Sequence, residues 1–252
     1  MLPEIDLFGL PLKTFGLCFA LSFVVSGAVI ARRLPEIGRP PDWAYEIVFA
    51  ALIGGLIGAR LYWAAENPSS IADDPIGGLF GGAGLTWYGG AIGGGIGVWL
   101  WARRKGFANL GLLDLCAPAL ALGYAVGRIG CQISGDGDYG SASGVPWAMA
   151  YPDGVVPTEE EVHPTPIYES LSMGLAAYVL WRLRDRLRPG GLFALYLVLS
   201  GVARLLVEFV RRNEAVLAGL TMPQVQSALL AIAGAAVLVA FARRPGGLAL
   251  KA

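Results

Sequence analysis

The sequence predicts an all-α integral membrane protein with about seven transmembrane helices and an external loop that caps the bundle. Apolar residues make up 55% of the 252 residues and charged residues only 15%, and the mean hydropathy is +0.58. Because a soluble domain carries about 25% charged residues, this chain has too little charge to cover a water-soluble globule. The composition excludes most soluble enzymes, disordered proteins and nucleic-acid binders that rely on a basic face.

Seven apolar stretches account for the predicted helices, since a transmembrane helix needs about 20 mostly apolar residues. The third stretch is rich in glycine and the fourth contains Pro118, and membrane helices tolerate both residue types. The stretches are 14–30, 43–65, 85–102, 112–129, 167–183, 191–209 and 222–242.

The charges flanking these stretches predict the orientation of the chain. Most of the 19 basic residues follow the odd-numbered spans, whereas the opposite loops are acidic. Positive charge marks the cytoplasmic side of a membrane protein, so the N-terminus is predicted to be external and the C-terminus cytoplasmic. The basic residues after the odd spans are Arg32, Arg33, Arg39, Arg103, Arg104, Lys105, Arg182, Arg184, Arg186, Arg188, Arg243, Arg244 and Lys251.

The longest connection, about 130–166, then lies outside the membrane. It is rich in Gly, Pro, Asp and Glu, and its aromatic residues Trp147 and Tyr151 favour an ordered cap over a disordered loop. Loops of this length are usually functional or disordered. The whole chain, 1–252, is predicted to form one multi-pass membrane domain.

Glycines four residues apart in the second and third spans predict close helix packing. Small residues at this spacing allow membrane helices to approach each other closely. No strand precedes this glycine run and no Gly-Lys-Ser/Thr ends it, so it is not a phosphate-binding loop. The pairs are Gly54/Gly58, Gly89/Gly93, Gly90/Gly94 and Gly93/Gly97.

Three arginines, Arg60, Arg128 and Arg204, lie inside or at the edge of apolar spans, where a charged residue is costly. In the predicted orientation all three are in the outer half of the membrane. A guanidinium group binds phosphate through a planar fork, so the set suggests a site for a phospholipid headgroup. The alternatives are that single arginines reach the headgroups by snorkelling and that Arg204 forms a local pair with Glu208, one turn later.

Other polar residues also fall at the outer side. Tyr88 opens the third span, and His163 and Glu169 surround the start of the fifth. Thr165 is predicted to cap that helix and Pro166 to occupy its first position. Lys13, Arg211 and Arg212 flank spans and are expected to reach water.

The cysteines and histidine predict neither a disulfide framework nor a metal site. Three cysteines without short spacing and a single histidine do not provide the ligand sets that such sites need. No metal and no cofactor are expected.

Four segments in this order resemble the prolipoprotein diacylglyceryl transferase family of bacterial inner-membrane enzymes, and the stretch 58–62 fits as well. The resemblance covers nearly the whole chain. Its segments are Gly-Leu-Thr-Trp-Tyr-Gly-Gly at 84–90, Gly-Arg-Ile-Gly at 127–130 continuing to Asp136, His-Pro-Thr-Pro-Ile-Tyr-Glu at 163–169, and Arg-Leu-Leu-Val-Glu-Phe at 204–209 continuing to Arg211.

The resemblance implies a membrane enzyme that transfers the diacylglyceryl group of phosphatidylglycerol to the lipobox cysteine thiol of prolipoproteins, whose signal peptides are then partners. Glycerol phosphate leaves. By motif, Arg128 and Arg204 are implied to bind the lipid phosphate, Asp136 and Glu208 to orient the site, and Tyr88 to face the lipid. His163 and Glu169 belong to the motif of the fifth span. The base stays open between His163, Tyr88, Asp136 and the leaving phosphate.

The chain departs from the family pattern in several places. Cys131, Gln132, Ser134 and Asp136 replace the usual residues after the Gly-Arg pair, Gly140 comes one residue late, and Ser200 stands where a tyrosine is common. The alternatives are therefore a catalytically degenerate relative that binds phospholipid or lipoprotein, a relative with another acceptor, and a small transporter or scaffold.

Overall fold

The computed structural model describes residues 1–7, 9–73, 86–216 and 219–249. Eight helices and two small hairpins occupy these ranges. The strands are β1 (Glu4–Leu7), β2 (Leu10–Lys13), β3 (Met149–Tyr151) and β4 (Thr158–Val162), and the helices are α1 (Thr14–Glu36), α2 (Trp43–Glu66), α3 (Pro68–Asp73), α4 (Trp87–Arg104), α5 (Leu110–Ser134), α6 (Thr165–Leu183), α7 (Gly191–Glu208) and α8 (Met222–Ala242).

The helical membrane class predicted from composition is confirmed. Five of these helices are long and apolar enough to cross a membrane, namely α1, α2, α5, α7 and α8. Helices α4 and α6 lie where the other two spans are predicted, and the total of seven stays a prediction. Each predicted stretch coincides with a helix to within a few residues, although residue 85 lies outside the described residues.

The chain divides into two compact units, residues 1–29 with 113–252 and residues 30–112. In the larger unit, α5, α6 and α7 meet around small and medium apolar side chains. The core residues are Ala117, Ala121, Ala125, Met173, Ala176, Ala177, Leu180 and Leu192. Helix α5 continues through Pro118, and Asp114 at its start accepts hydrogen bonds from the backbone N–H groups of Gly190 (2.7 Å) and Phe193 (2.8 Å) at the start of α7.

The predicted cap, about 130–166, is ordered. Its first residues continue α5 to Ser134, and the antiparallel β3–β4 hairpin lies in its second half. A small core of Tyr139, Tyr151 and Val162 holds it together, with the two tyrosine rings stacked at 4.9 Å. This core orients the segment that follows Arg128.

In the smaller unit, α2 and α4 pack backbone to backbone through their glycines. A Cβ placed on Gly93 would lie 2.2 Å from the carbonyl oxygen of Gly54, and one on Gly58 would lie 2.3 Å from that of Gly89. Any side chain would force the helices apart, which confirms the prediction that glycine spacing reflects close helix packing.

Substitution of Gly93 by alanine is therefore expected to destabilise this helix pair. Overpacking a close contact costs about 1–3 kcal/mol, which should appear as a lower midpoint of thermal unfolding in detergent. Gly95→Ala is the matched control, because a Cβ at Gly95 of the same helix meets no atom within 4 Å. Equal midpoints for the two variants would contradict this account of the packing.

Candidate functional site

A buried network of charges in the larger unit centres on Glu169, in the second turn of α6. Its side chain is only 2% exposed. It accepts hydrogen bonds from the Tyr124 hydroxyl at 2.9 Å and from Nε of Arg128 at 2.6 Å, both on α5. Tyr124 and Arg128 are four residues apart, so they lie on one face of that helix.

Two further arginines reach the same carboxylate from the end of α7. Arg204 pairs with Oε1 of Glu169, and Nη1 of Arg211 lies 3.4 Å from Oε2. The side chain of Arg211 is 9% exposed. Glu169 thus joins three guanidinium groups that come from two different parts of the chain.

Asp138, in the segment between α5 and β3, lies on the other side of the arginines. Its two oxygens pair with Arg128 and Arg211 respectively. Burial by itself raises the pKa of Asp138, but the two guanidinium groups outweigh burial and hold the pKa below its usual value. The carboxylate is therefore ionised in the free protein, and at 34% exposed it is the most accessible acid of the network.

Glu208 is the third acidic residue of the charge network. Its Oε1 accepts hydrogen bonds from the Thr221 hydroxyl (2.8 Å) and from the Asn213 amide (2.5 Å). Its Oε2 accepts no aligned hydrogen bond from the described residues but forms an ion pair with Nη2 of Arg204 at 2.8 Å. Thr221 also closes the capping box of α8, so Glu208 ties Arg204 to the start of the last helix.

Three guanidinium groups and three carboxylates therefore balance within the described part of the chain. We call these six residues the ion network: Arg128, Asp138, Glu169, Arg204, Glu208 and Arg211. Burying charges is costly unless each is paired and hydrogen-bonded, and removal of one partner leaves an uncompensated charge. The network is thus neutral as a whole, and Asp138, which pairs with Arg128 and Arg211, is its most exposed acid.

Four residues that the sequence predicts for the site come together in this network, namely Arg128, Arg204, Glu169 and Glu208. Arg128 is 13% exposed and Arg204 25%, and both are ion-paired, so snorkelling does not describe them. The local Arg204–Glu208 pair is present as well. The phosphate-binding roles of these residues stay predictions.

Asp136 lies beside the network rather than on an arginine. Its Oδ1 accepts the backbone N–H of Asp138 at 3.2 Å, and its side chain also contacts Cys131. Burial raises the pKa of Asp136. The arginine partner in this segment is Asp138, two residues later, which sequence reasoning missed.

Sequence reasoning also missed Tyr124 and misplaced Arg211. The expectation that Arg211 reaches water is wrong, because all three carboxylates of the network pair with it inside the protein. Arg211 lies beyond the end of α7 at Glu208, where charge is normal, so its sequence position gave no signal. Tyr124 gave no signal either, because a tyrosine within an apolar span is equally consistent with core packing.

The entrance of α6 differs from the predicted capping arrangement. Thr165 is the first helical residue and Pro164 precedes it as the cap position without a side-chain bond, so Pro166 is the second residue. The Thr165 hydroxyl instead donates to the backbone carbonyl of Asp138. This contact fixes the Asp138 segment against α6, directly beside Glu169.

His163 belongs to a separate chain of contacts at the cap. Its Nδ1 lies 3.1 Å from the Tyr168 hydroxyl oxygen, which accepts a hydrogen bond from Nε1 of Trp147 at 2.7 Å. The three residues link the cap to the first turn of α6. A role for His163 in proton transfer stays a prediction.

Arg60 and Tyr88 belong to the smaller unit. The Arg60 guanidinium lies over the Trp63 ring at 4.6 Å, and the Tyr88 ring lies 6.5 Å from that of Tyr62. Their roles at a lipid site stay predictions. Gly84 and Leu85, the first residues of the Tyr88 motif, lie outside the described residues.

All three cysteines are free thiols. Among the described residues, one group has donor atoms close enough for a metal ion, with Cys131, Asp136 and Asp138 within 4.8 Å of one another. Asp138 is already paired with two arginines, whose positive charge opposes a cation at this position.

Comparison with known proteins agrees with these features. A model of the prolipoprotein diacylglyceryl transferase family matches residues 4–240. A protein of Chromohalobacter salexigens named phosphatidylglycerol–prolipoprotein diacylglyceryl transferase is 35% identical over 96% of this chain and 95% of its own. Proteins of that name from Clostridium tetani (33% identical, 82% of this chain and 83% of theirs) and Dehalococcoides mccartyi (35%, 88% and 86%) are also similar.

Proposed function

The chain belongs to the prolipoprotein diacylglyceryl transferase family, and on that premise we propose that it transfers the diacylglyceryl group of phosphatidylglycerol to the lipobox cysteine of prolipoproteins. The observation that carries this proposal is the convergence of Arg128, Arg204 and Arg211 on the Glu169 carboxylate of the ion network. Their guanidinium donors are suited to bind a lipid phosphate and to stabilise the charge that develops on it as it leaves.

The reaction is a displacement at a lipid carbon. The thiolate of the acceptor cysteine forms an S–C bond with the terminal glyceryl carbon, the C–O bond to the phosphate breaks, and glycerol phosphate leaves with the electron pair. Preorganised guanidinium groups lower the barrier when they point at the growing negative charge. In the proposal these donors come from the arginines of the ion network, and Glu169 and Glu208 hold the arginines in place.

The membrane setting supports the same assignment. Charge–charge interactions are stronger where water is excluded, and the network is mostly buried. The signal peptide of the acceptor is an apolar helix that approaches within the membrane. We therefore propose a multi-pass protein of the bacterial cytoplasmic membrane. In this proposal the ion network faces the outer leaflet.

Purified protein in mixed micelles tests the function directly. With phosphatidylglycerol labelled in its acyl chains and a lipobox peptide, the label is expected on the peptide, with one glycerol phosphate released per peptide modified. A peptide with serine in place of the cysteine is the control and should remain unlabelled. Binding of phosphatidylglycerol without transfer would instead identify a lipid-binding relative, and transfer to another thiol a relative with a different acceptor.

The orientation is tested with fusion reporters. A reporter after Ala252 is expected to be cytoplasmic, and one inserted at 153–161, between β3 and β4, external, because most basic residues follow the odd spans. Both fusions must still support lipid transfer, which serves as the control for folding. The reverse pattern of reporter activity would place the network at the inner leaflet and contradict the proposed localisation.

A further inference from the structure

The exact pairing of charges in the ion network poses a problem for an anionic substrate. Each of the three arginines is already matched by a carboxylate of the network. A phosphate added to this set would be an uncompensated negative charge in a mostly buried place, and such charges are strongly disfavoured. Binding therefore requires that one resident carboxylate give up its arginines.

Two of the three carboxylates are held too firmly to leave. Glu169 is 2% exposed and is bonded by Tyr124 and by all three arginines. Glu208 has a fully buried side chain and is held by Thr221 and Asn213 in addition to Arg204. Displacement of either would strand a buried charge with no route to water.

Asp138 differs in both exposure and partners. Its side chain is 34% exposed, and the ion pairs of its two oxygens are with Arg128 and Arg211. It also follows Gly137, whose φ of +92° marks a left-handed turn. Rotation of the side chain can bring this carboxylate to water, where it no longer needs a partner.

The backbone at Asp138 is fixed while its side chain is not. Its N–H donates to Asp136 Oδ1 at 3.2 Å, and its carbonyl accepts from the Thr165 hydroxyl. The neighbouring Tyr139 ring is stacked on Tyr151. The exchange therefore involves a side-chain rotation and leaves the cap in place.

We infer that the Asp138 carboxylate is a placeholder, which occupies in the free protein the position on Arg128 and Arg211 that the phosphate of the substrate takes on binding. The inference rests on the proposed function for the identity of the lipid, but its physical basis is the geometry of the ion network. It assigns Arg211 to the phosphate position together with Arg128. It also makes Asp138 a specificity-determining residue, since only an anionic group can replace it.

The placeholder describes the site both without substrate and with substrate bound. Without substrate, Asp138 is a further carboxylate partner of Arg128 and Arg211, beside the Glu169 carboxylate that both arginines also bind. With substrate, two phosphate oxygens replace its two oxygens, and charge-assisted hydrogen bonds of the same kind form again. A lipid without phosphate offers no such replacement and leaves Asp138 in place.

Asp138→Asn is the direct test, because it retains the shape of the side chain and removes its charge. The probes are glycerol phosphate for the free anion and phosphatidylglycerol in mixed micelles for the lipid, with diacylglycerol as the lipid that has no phosphate. Binding is measured by calorimetry on purified protein at equal folded amounts. We expect the variant to bind both phosphate probes about ten- to a hundredfold more tightly, the range set by one hydrogen bond to a charged group, and to bind diacylglycerol as the wild type does.

The matched control is Asp153→Asn, which makes the same chemical change at an exposed position of the same cap and should bind all probes as the wild type does. Asp138→Glu retains the charge and should show no gain, and Asp138→Ala replaces the asparagine variant if that one does not fold. Unchanged or weaker phosphate binding in the charge-free variant, or an equal gain in Asp153→Asn, would overturn the inference. A gain for glycerol phosphate alone would restrict the placeholder to the free anion and overturn its role toward the lipid.

These measurements need no acceptor peptide, so the inference and the proposed function fail separately. Tighter phosphate binding in Asp138→Asn together with no lipid transfer by the wild type would support the placeholder and contradict the transferase activity. Lipid transfer by the wild type, with no change in phosphate binding for Asp138→Asn, would support the transferase activity and overturn the placeholder.

Discussion

Replacement of Glu169 by glutamine is expected to lower the stability of the protein more than any other single change in the ion network. Glutamine retains the shape but not the charge, so Arg128, Arg204 and Arg211 lose the carboxylate they share. Removal of one partner from a buried ion pair costs about 3–5 kcal/mol, because the remaining charge is uncompensated. At about 2–4 °C per kcal/mol for a chain of this size, the midpoint of thermal unfolding should fall by about 10 °C.

Glu161→Gln is the control for this experiment, since Glu161 is an exposed residue of the cap hairpin and should unfold at the wild-type temperature. Glu169→Asp, which retains the charge on a shorter side chain, should recover part of the lost stability. If Glu169→Gln unfolded with the wild type, Glu169 would not be the residue that holds the arginines together.

The helices were predictable from the sequence because each depends on a local property, the length of an apolar run. The first predicted span, 14–30, ends before Arg32 and Arg33, whereas α1 continues to Glu36. The hydrogen bonds of a helix do not stop where charge begins, so an apolar run marks the membrane-buried part of a helix better than its end. The β3–β4 hairpin had no comparable signal, because its strands are only 3 and 5 residues long.

The sequence predicts those site residues whose charge is unusual for their position in the chain. Arg128 and Arg204 stand out because they are charged residues in apolar spans, and Glu169 and Glu208 follow from their motifs. Asp138 and Arg211 do not conflict with their local sequence, since both lie where a span ends and charge is normal. Their pairing links residues 73 positions apart in the chain, and only the fold reveals it.

The same contrast applies to Asp136 and Asp138. The two acids are separated by one glycine, and the sequence gives no indication of which one faces the arginines. The positive φ of Gly135 and Gly137 turns the chain so that Asp138 points to Arg128 and Arg211 while Asp136 faces Cys131. A two-residue shift of this kind depends on backbone turns that residue types alone do not specify.

Arg128→Ala is expected to reduce lipid transfer further than any other substitution of an arginine in the network. Arg128 contacts both Glu169 and Asp138, so it lies between the fixed carboxylate and the position proposed for the phosphate. Each hydrogen bond from the guanidinium to the leaving phosphate contributes about 1.5–3 kcal/mol, or about ten- to a hundredfold in rate when it acts on the transition state. Arg128→Lys should retain more activity than Arg128→Ala, because lysine keeps the charge but loses the planar fork.

The measurement is labelled transfer from phosphatidylglycerol to a lipobox peptide, at equal folded amounts of each variant because Arg128 also stabilises the network. Arg186→Ala is the control, since Arg186 is an exposed arginine beyond the far end of α6 and its loss should leave the rate unchanged. If Arg128 acts only as a structural partner of Glu169, the Ala and Lys variants will transfer lipid at wild-type rates once their folded amounts are matched. A fall in kcat that is larger for Arg128→Ala than for Arg128→Lys, at matched folded amounts, would assign Arg128 to the reacting phosphate. Both variants lack the planar guanidinium fork, but only the alanine variant also lacks the positive charge.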